Sequence, residues 1–452
     1  MFSGMIVSLS VVGCAAEGPS SSTASVGPSA STASPLQPRA SDSASPAANP
    51  SASPLVVEAT WLPAGDLGLG RSQTHVVRLD DGTVLVVGFD NICSPGAAWD
   101  ESVAAELGDQ LGRVWTEAAS LPSPRDRFVL AALQDGRALV TGGTTSEGVI
   151  GPRSYSSTYL FDPTAMAWSR SGLLNAARSD PAGAVLADGR VLVAGGYYAD
   201  LPANPPLRML ASSELFDQAT GEWSRTGSLV VARYGASAVT LADGRVLIVG
   251  GWPSIENGPA PLNGPIPPPL ASAEVYDPDT GRWSQAGELD LARTNFVLVA
   301  LADGGALVAG GSDWLETDPF GYARKPTAST ERFDPTTSAW SPAGDMAIAA
   351  ADRTGIRLLD GQVLVAGGDV TAHEQDLDLP WRLSADAELY DPEAGTWEAT
   401  TPLPRPRSGA SAVLLADGSA LLVGGIQAHG SLGDTPRCPV PDPQTLRYVP
   451  GP

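Results

Sequence analysis

GASAVTLADGRVLIVGG, residues 235–251, and EVYDPDTGRW, residues 274–283, decide how this chain folds. The first stretch holds two short β-branched runs on either side of Ala242-Asp243-Gly244-Arg245. Asp followed by Gly favours a tight hairpin, because such turns need positive φ angles that glycine takes without strain. The second stretch is another hairpin, with Asp277-Pro278-Asp279-Thr280-Gly281 as its turn and Trp283 on the returning strand. Together they give four antiparallel strands. A twisted four-stranded sheet cannot bury both faces alone, so it needs copies of itself as neighbours.

The copies are present. Tryptophans fall at Trp61, Trp115, Trp168, Trp223, Trp283, Trp340 and Trp397, and an Asp-Gly pair begins 20 residues after each, from Asp81 to Asp417. Seven residues past each Asp comes a glycine (Gly88, Gly142, Gly195, Gly250, Gly310, Gly367, Gly424), followed by a second glycine in all but the first copy, where Phe89 stands. A Glu lies nine residues before the next Trp at Glu106, Glu214, Glu274, Glu331 and Glu388, with Tyr159 at that place in the second unit. An Arg precedes each Asp by ten residues at Arg71, Arg125, Arg178, Arg233, Arg293 and Arg407, with Ala350 in the sixth unit. Arg and Glu begin their strands at the same end, so they are expected to pair beside the glycines, and Tyr159 and Ala350 are expected to leave a partner free. Repeated in register, such a pair reads as architecture rather than catalysis.

The glycine pair, the aromatic-Asp-Pro turn and the Trp at these spacings resemble the kelch repeat, which is also found in propellers of the galactose-oxidase type. The resemblance covers residues 61–452 and implies an all-β, seven-bladed β-propeller of four-stranded antiparallel blades. The last unit ends without its Trp, and Trp61 has no strands of its own before it. The segment around Ala59 to Leu62 is therefore expected to close the ring as the outer strand of the last blade.

Residues 1–14 read as a leader. Met5 to Gly13 is an apolar run too short to span a bilayer, and Val11-Val12-Gly13-Cys14 resembles a bacterial lipobox, which implies lipidation at Cys14. Residues 15–54 are a Ser/Ala/Pro-rich tether with little to bury, long enough as a coil to span roughly 35 Å. Residues 55–452 form the propeller. This order places the domain at the extracytoplasmic face of a bacterial membrane, attached through lipid alone, with secretion as the alternative. A balance of 27 basic against 50 acidic residues excludes nucleic acid as the natural partner. A monomer is expected.

Connections 1–2 and 3–4 of each blade are short and share one face. Connections 2–3 and 4–1 share the other, which carries every long loop, and loops on a rigid scaffold are where binding usually sits. The four tryptophans outside the repeat, Trp99, Trp252, Trp314 and Trp381, all fall in 2–3 loops, with Tyr197, Tyr198, Asp313 and Asp369. Aromatic planes beside carboxylates suit a carbohydrate or a cell-surface protein, and the same residues also suit the plain task of pinning loops. The histidines, His75, His373 and His429, stand in units that closure makes neighbours, but their spacing matches no compact metal motif. No catalytic set, metal site or cofactor fingerprint stands out. The leading expectation is a non-catalytic recognition propeller, with a carbohydrate-active hydrolase or oxidase and a cell-envelope scaffold as alternatives. Cys93 and Cys438 lie in the 2–3 loops of the first and last units and are expected to form a disulfide outside the cell.

Overall fold

The computed structural model describes residues 59–71, 73–89, 103–145, 153–200, 208–253, 268–314, 324–371, 382–430 and 438–451. Among them the regular elements are β-strands, and seven sheets have four antiparallel strands each. The quoted stretches form blade four: Ser237–Thr240, Val246–Val249, Ser272–Asp277 and Arg282–Glu288, hydrogen-bonded in that order. Blade seven is the exception in connectivity. Its first three strands are Ser411–Leu414, Ala420–Val423 and Gln444–Val449, and its outer strand is Thr60–Asp66, with Trp61 opposite Tyr448.

The first strands lie innermost. Each touches the first strand of the blade on either side, and Gln73–Arg78 of blade one meets Ser411–Leu414 of blade seven, so the contacts run round a closed ring. Small residues permit this crowding: a Cβ on Gly183 would lie 2.5 Å from Val129 of the neighbouring blade. The core is the space between blades. Val129, Ala131, Leu133 and Leu139 of blade two pack on Val191, Val193 and Phe216 of blade three, and comparable clusters join other neighbours. Each fully buried Val, Leu or Phe contributes about 1.5–3 kcal/mol.

The repeat tryptophans are inter-blade wedges. Trp223 stacks on Phe216 of its own blade at 5.2 Å and donates its indole N–H to Thr158 Oγ1 of blade two at 2.9 Å. Trp283 repeats this with Tyr276 and Ser213, and Trp397 with Tyr390 and Thr330. Trp61 behaves alike across the junction, stacking on Tyr448 and donating to the Thr401 carbonyl at 2.8 Å.

The buried Arg–Glu pairs form nodes that tie each blade together. In blade four Arg233 Nη1 donates to the Gly250 carbonyl at 2.9 Å, and its Nη2 donates to Glu274 Oε1 at 2.8 Å. Glu274 also accepts the backbone N–H groups of Val230 and Val231, which belong to the connection from blade three. Arg178–Glu214 and Arg293–Glu331 repeat the pair at 2.7 Å, and Arg71–Glu106 makes it in blade one. The glycines bring adjacent blades into contact. Gly196 N–H donates to the Arg233 carbonyl at 2.8 Å, and a Cβ on Gly195 would sit 2.4 Å from that oxygen.

Two expectations about free partners are corrected. Ala350 does not leave Glu388 free, because Arg353, three residues later, reaches it at 2.9 Å. Tyr159 does not leave Arg125 free either. That guanidinium donates to the Gly142 and Ser157 carbonyls at 3.0 Å and lies 4.3 Å from the centre of the Tyr155 ring. Burial without a carboxylate lowers the Arg125 pKa to about 10. In blade seven Asp442 takes the place of Glu and pairs with Arg407.

Removing one partner from such a node strands a buried charge. Glu274→Gln is expected to cost about 3–5 kcal/mol in urea unfolding, with the double change Arg233→Met/Glu274→Leu less costly than the single one. A loss below about 1 kcal/mol for the single change would contradict this role.

Candidate functional site

The nodes deliver the chain to one face, where the 2–3 and 4–1 connections build a second tier of short ribbons. Arg233–Tyr234 pairs with Trp252–Pro253 above blade four, and Arg293–Thr294, Ser312–Trp314 and Arg324–Pro326 form a three-stranded ribbon above blade five. Tyr197–Tyr198 pairs with Arg208–Met209, and Ile426–Gly430 with Cys438–Pro441. The tiers of blades two and three are joined by a bridge between Arg153 and Asp200, whose side chains form an ion pair at 3.2 Å.

The ribbons set the fate of the sequence-derived candidates. Trp252 is buried at 4% exposure, as a residue holding its ribbon down would be. Tyr197 is also buried and meets Tyr234 edge-on at 5.4 Å. Asp369 is buried too, its carboxylate accepting from Thr371 N–H at 2.9 Å and from the Thr371 hydroxyl. Tyr198 and Asp313 keep part of their surface open, and the Tyr198 hydroxyl donates to Asp200 at 3.2 Å. Cys14, Cys93, Trp99, His373 and Trp381 lie outside the described residues, and Trp314, His429 and Cys438 are described by their backbone alone.

At the centre of this face the structure shows a group the sequence reading missed. In blades two to seven, two residues past the Arg of the repeat or past Ala350, the chain turns into the innermost strand with φ between +52° and +66°: Arg127, Asp180, Gly235, Asn295, Asp352 and Gly409. These positions are bonded blade to blade. Asp180 N–H donates to the Arg127 carbonyl, Gly235 N–H to Asp180, Asp352 N–H to Asn295 and Gly409 N–H to Asp352, at 2.9–3.0 Å. The result is a collar of two arcs about the ring's axis, one over blades two to four and one over blades five to seven. Glycine is the unstrained occupant of this backbone region, as in blades four and seven. Arg, Asp, Asn and Asp hold it in blades two, three, five and six, and all four carry polar side chains. The signal was legible as a repeat position alternating between glycine and polar residues.

Collar side chains interact with their neighbours. Asn295 Nδ2 donates to Asp352 Oδ2 at 2.9 Å, while Asn295 Oδ1 is buried and has no partner among the described residues. The Arg127 guanidinium lies 3.8 Å from Asp180 and 3.9 Å from Asp126, at ion-pair rather than hydrogen-bonding distance. Burial raises the Asp180 pKa against the pull of Arg127, and pushes the Tyr197 hydroxyl up to about 12. No three His, Cys, Asp or Glu side chains gather as metal ligands among the described residues.

A ring of four-stranded blades with its loops and a polar collar on one face is a β-propeller with a preformed central surface. The family model for the kelch motif matches residues 232–289, which carry Arg233, the Gly250–Gly251 pair, Glu274 and Trp283. Kelch-like protein 36 of Bos taurus is 24% identical over 68% of this chain and 45% of its own length. Alpha-scruin of Limulus polyphemus is 26% identical over 53% of this chain and 24% of its own. The chain thus spans less than half the length of these relatives. A solved fungal alcohol oxidase of the AA5 family, in complex with copper, superposes with a TM-score of 0.62 at 18% identity, covering 87% of this chain and 76% of its own, which speaks to fold alone. The chain carries the kelch motif at residues 232–289, set in a ring of four-stranded blades.

His75 stands on the innermost strand of blade one, its ring 4.2 Å from that of Phe128 in blade two. Burial lowers its pKa from 6.5 to about 4. The unfolded chain therefore binds the extra proton first, and stability drains away as pH falls from 6.5 towards 4. Because the ring keeps some exposure, about 1–3 kcal/mol is expected over that window. Urea midpoints of wild type and His75→Gln should converge as the pH is lowered. A constant gap would show that His75 does not titrate with folding.

Proposed function

We propose that this protein is a recognition propeller that takes a partner protein on the face carrying the 2–3 and 4–1 connections. The observation that carries the reading is the collar: four polar side chains held in a backbone region that favours glycine, at the centre of the loop-bearing face. Such strain clusters at functional sites because a stable scaffold can sustain it. The kelch relatives support a binding role, and the ribbons supply a broad, ordered rim. The leader ending at Cys14 and the tether of residues 15–54 support an extracytoplasmic, lipid-anchored placement. A Cys93–Cys438 disulfide on the same face belongs to this proposal, with Cys438 opening the strand Cys438–Pro441 of blade seven.

Carbohydrate is the second reading, favoured by the partly open Tyr198 and Asp313 on the rim. Trp99 and Trp381, in the 2–3 loops of the first and sixth units by sequence, belong to it as further stacking planes.

A photo-crosslinking residue placed at Tyr198 or Asp313 of the full-length protein in its native envelope should capture a discrete partner. The same residue at Asp243 or Asp303, on the opposite turn face, should capture none. Crosslinks confined to the turn face would overturn the assignment, and an enriched glycan in place of a polypeptide would decide for the second reading.

A further inference from the structure

Among the described residues, blade two holds the one node without a carboxylate. In the other blades Glu106, Glu214, Glu274, Glu331, Glu388 and Asp442 each pair with an arginine. Arg125 of blade two is fully buried, and its ionisable neighbours are Tyr155, Tyr159 and a second cation, Arg170. Its N–H groups are served by carbonyls and by Ser157 Oγ, but its charge is not neutralised. Tyr159 stands where a glutamate would. Its hydroxyl lies 3.1 Å from Ser123 Oγ and accepts from Arg170 Nε at 3.4 Å. Arg170 is exposed, and that phenol is its one partner among the described residues. In blades three and four the residue two before the arginine, Ala176 or Val231, gives its N–H to the node carboxylate. Ser123 holds that place before Arg125, and its N–H meets no acceptor among the described residues. The phenol registers the resulting field. Burial would raise the Tyr159 pKa, yet bonds to Ser123 and Arg170 and the charges of Arg170 and Arg125 outweigh it and bring it below the ordinary tyrosine value. A place that favours negative charge on its own oxygen favours an arriving anion for the same reason.

We propose that this node takes a carboxylate from outside, the side chain of a glutamate or aspartate on the partner protein, with Arg170, Tyr159 and Ser123 as its donors. The proposal rests on the reading that the loop face binds protein, and it names a chemistry for that face. An ionised carboxylate has two oxygens and no donor of its own. One oxygen suits Ser123 N–H, as the Glu carboxylates suit Ala176 and Val231, and the other suits Arg170 and the phenol O–H. Hydrogen bonds from a guanidinium to a carboxylate are shorter and stronger than neutral ones. Arg125 adds its charge from within the blade, its guanidinium carbon 5.2 Å from the centre of the Tyr159 ring. The chain's formal charge of −23 repels such a ligand at long range. Salt screens that field within about 8 Å, so the contact itself is decided locally.

The test follows Tyr159 in the full-length protein by NMR of isotope-labelled tyrosine rings, its signal assigned through Tyr159→Phe. The probe is a peptide amide bearing adjacent glutamates, beside its glutamine twin, with sodium sulfate as a third arm. The glutamate peptide should move the Tyr159 signal saturably, and the glutamine twin should not. Arg170→Gln should weaken that binding by about tenfold, the loss of one charge-assisted hydrogen bond. Arg225→Gln should change nothing, because Arg225 sits opposite Glu214 as Arg170 sits opposite Tyr159, and blade three has its own carboxylate. Tyr159→Glu supplies the carboxylate in cis. It should abolish binding of the glutamate peptide, read by titration calorimetry, while its melting temperature stays at or above that of wild type. Loss of binding without loss of stability separates a site from a structural contact.

Equal response to the two peptides, response to sulfate alone, no response to any probe, or undiminished binding by Arg170→Gln or Tyr159→Glu would each overturn the proposal. If crosslinks still fall on the loop face in any of those cases, the face is right and the carboxylate wrong.

Discussion

Blades three to six depend on a buried guanidinium reaching three groups at once: the carbonyl of a glycine pair, a carboxylate on the third strand, and through that carboxylate the backbone of the preceding connection. In blade three Arg178 meets the Gly195 carbonyl and Glu214, and Glu214 accepts from Asn175 and Ala176. One side chain therefore fixes strand one, strand two, strand three and the link to blade two. A buried ion pair is weak evidence of stability when it could be replaced by hydrocarbon. Its value here is geometric, since it dictates where the chain leaves each blade and hence where the loop face stands.

That geometry explains why the two faces differ. On the turn face, Asp side chains close their own hairpins, as Asp243 does by accepting from Arg245 N–H at 3.0 Å. These carboxylates serve local turns. On the other face the nodes consume the local polar groups below the surface and pass the chain on to ribbons and to the collar. There the residues Arg127, Asp180, Asn295 and Asp352 sit in a conformation that glycine fills without strain in blades four and seven.

Much of the fold was legible because the repeat has a physical reason at each position. The Asp-Gly turns, glycine pairs and tryptophans each appear in the structure in the roles their spacing implied, and the strand at Trp61 pairs with Gln444–Val449. The sequence reading failed where a role was filled from outside its repeat position. Arg353 replaces Ala350 from three residues away, and Asp442 replaces a glutamate on a loop rather than on a strand. Arg125 is served by carbonyls and by Tyr155, which no spacing rule marks. For the site, exposed aromatics drew the eye, yet Trp252 and Tyr197 are inside the ribbons. The collar was overlooked because its residues share a backbone conformation rather than a chemical type, and conformation is visible in sequence only through the glycines that alternate with them.

The central claim is that the arginine nodes, rather than the strands alone, hold the connections on the loop face in place. Native-state hydrogen exchange on the intact protein tests it directly. The amides of Ala176, Val230, Val231, Asp290 and Ala347 lie outside strands, and each donates to a node carboxylate. They should exchange as slowly as the inner strands Val246–Val249 and Val363–Ala366. Exchange at the rate of the open turn at Asp243–Gly244 would show that the nodes bear no load and would contradict the account.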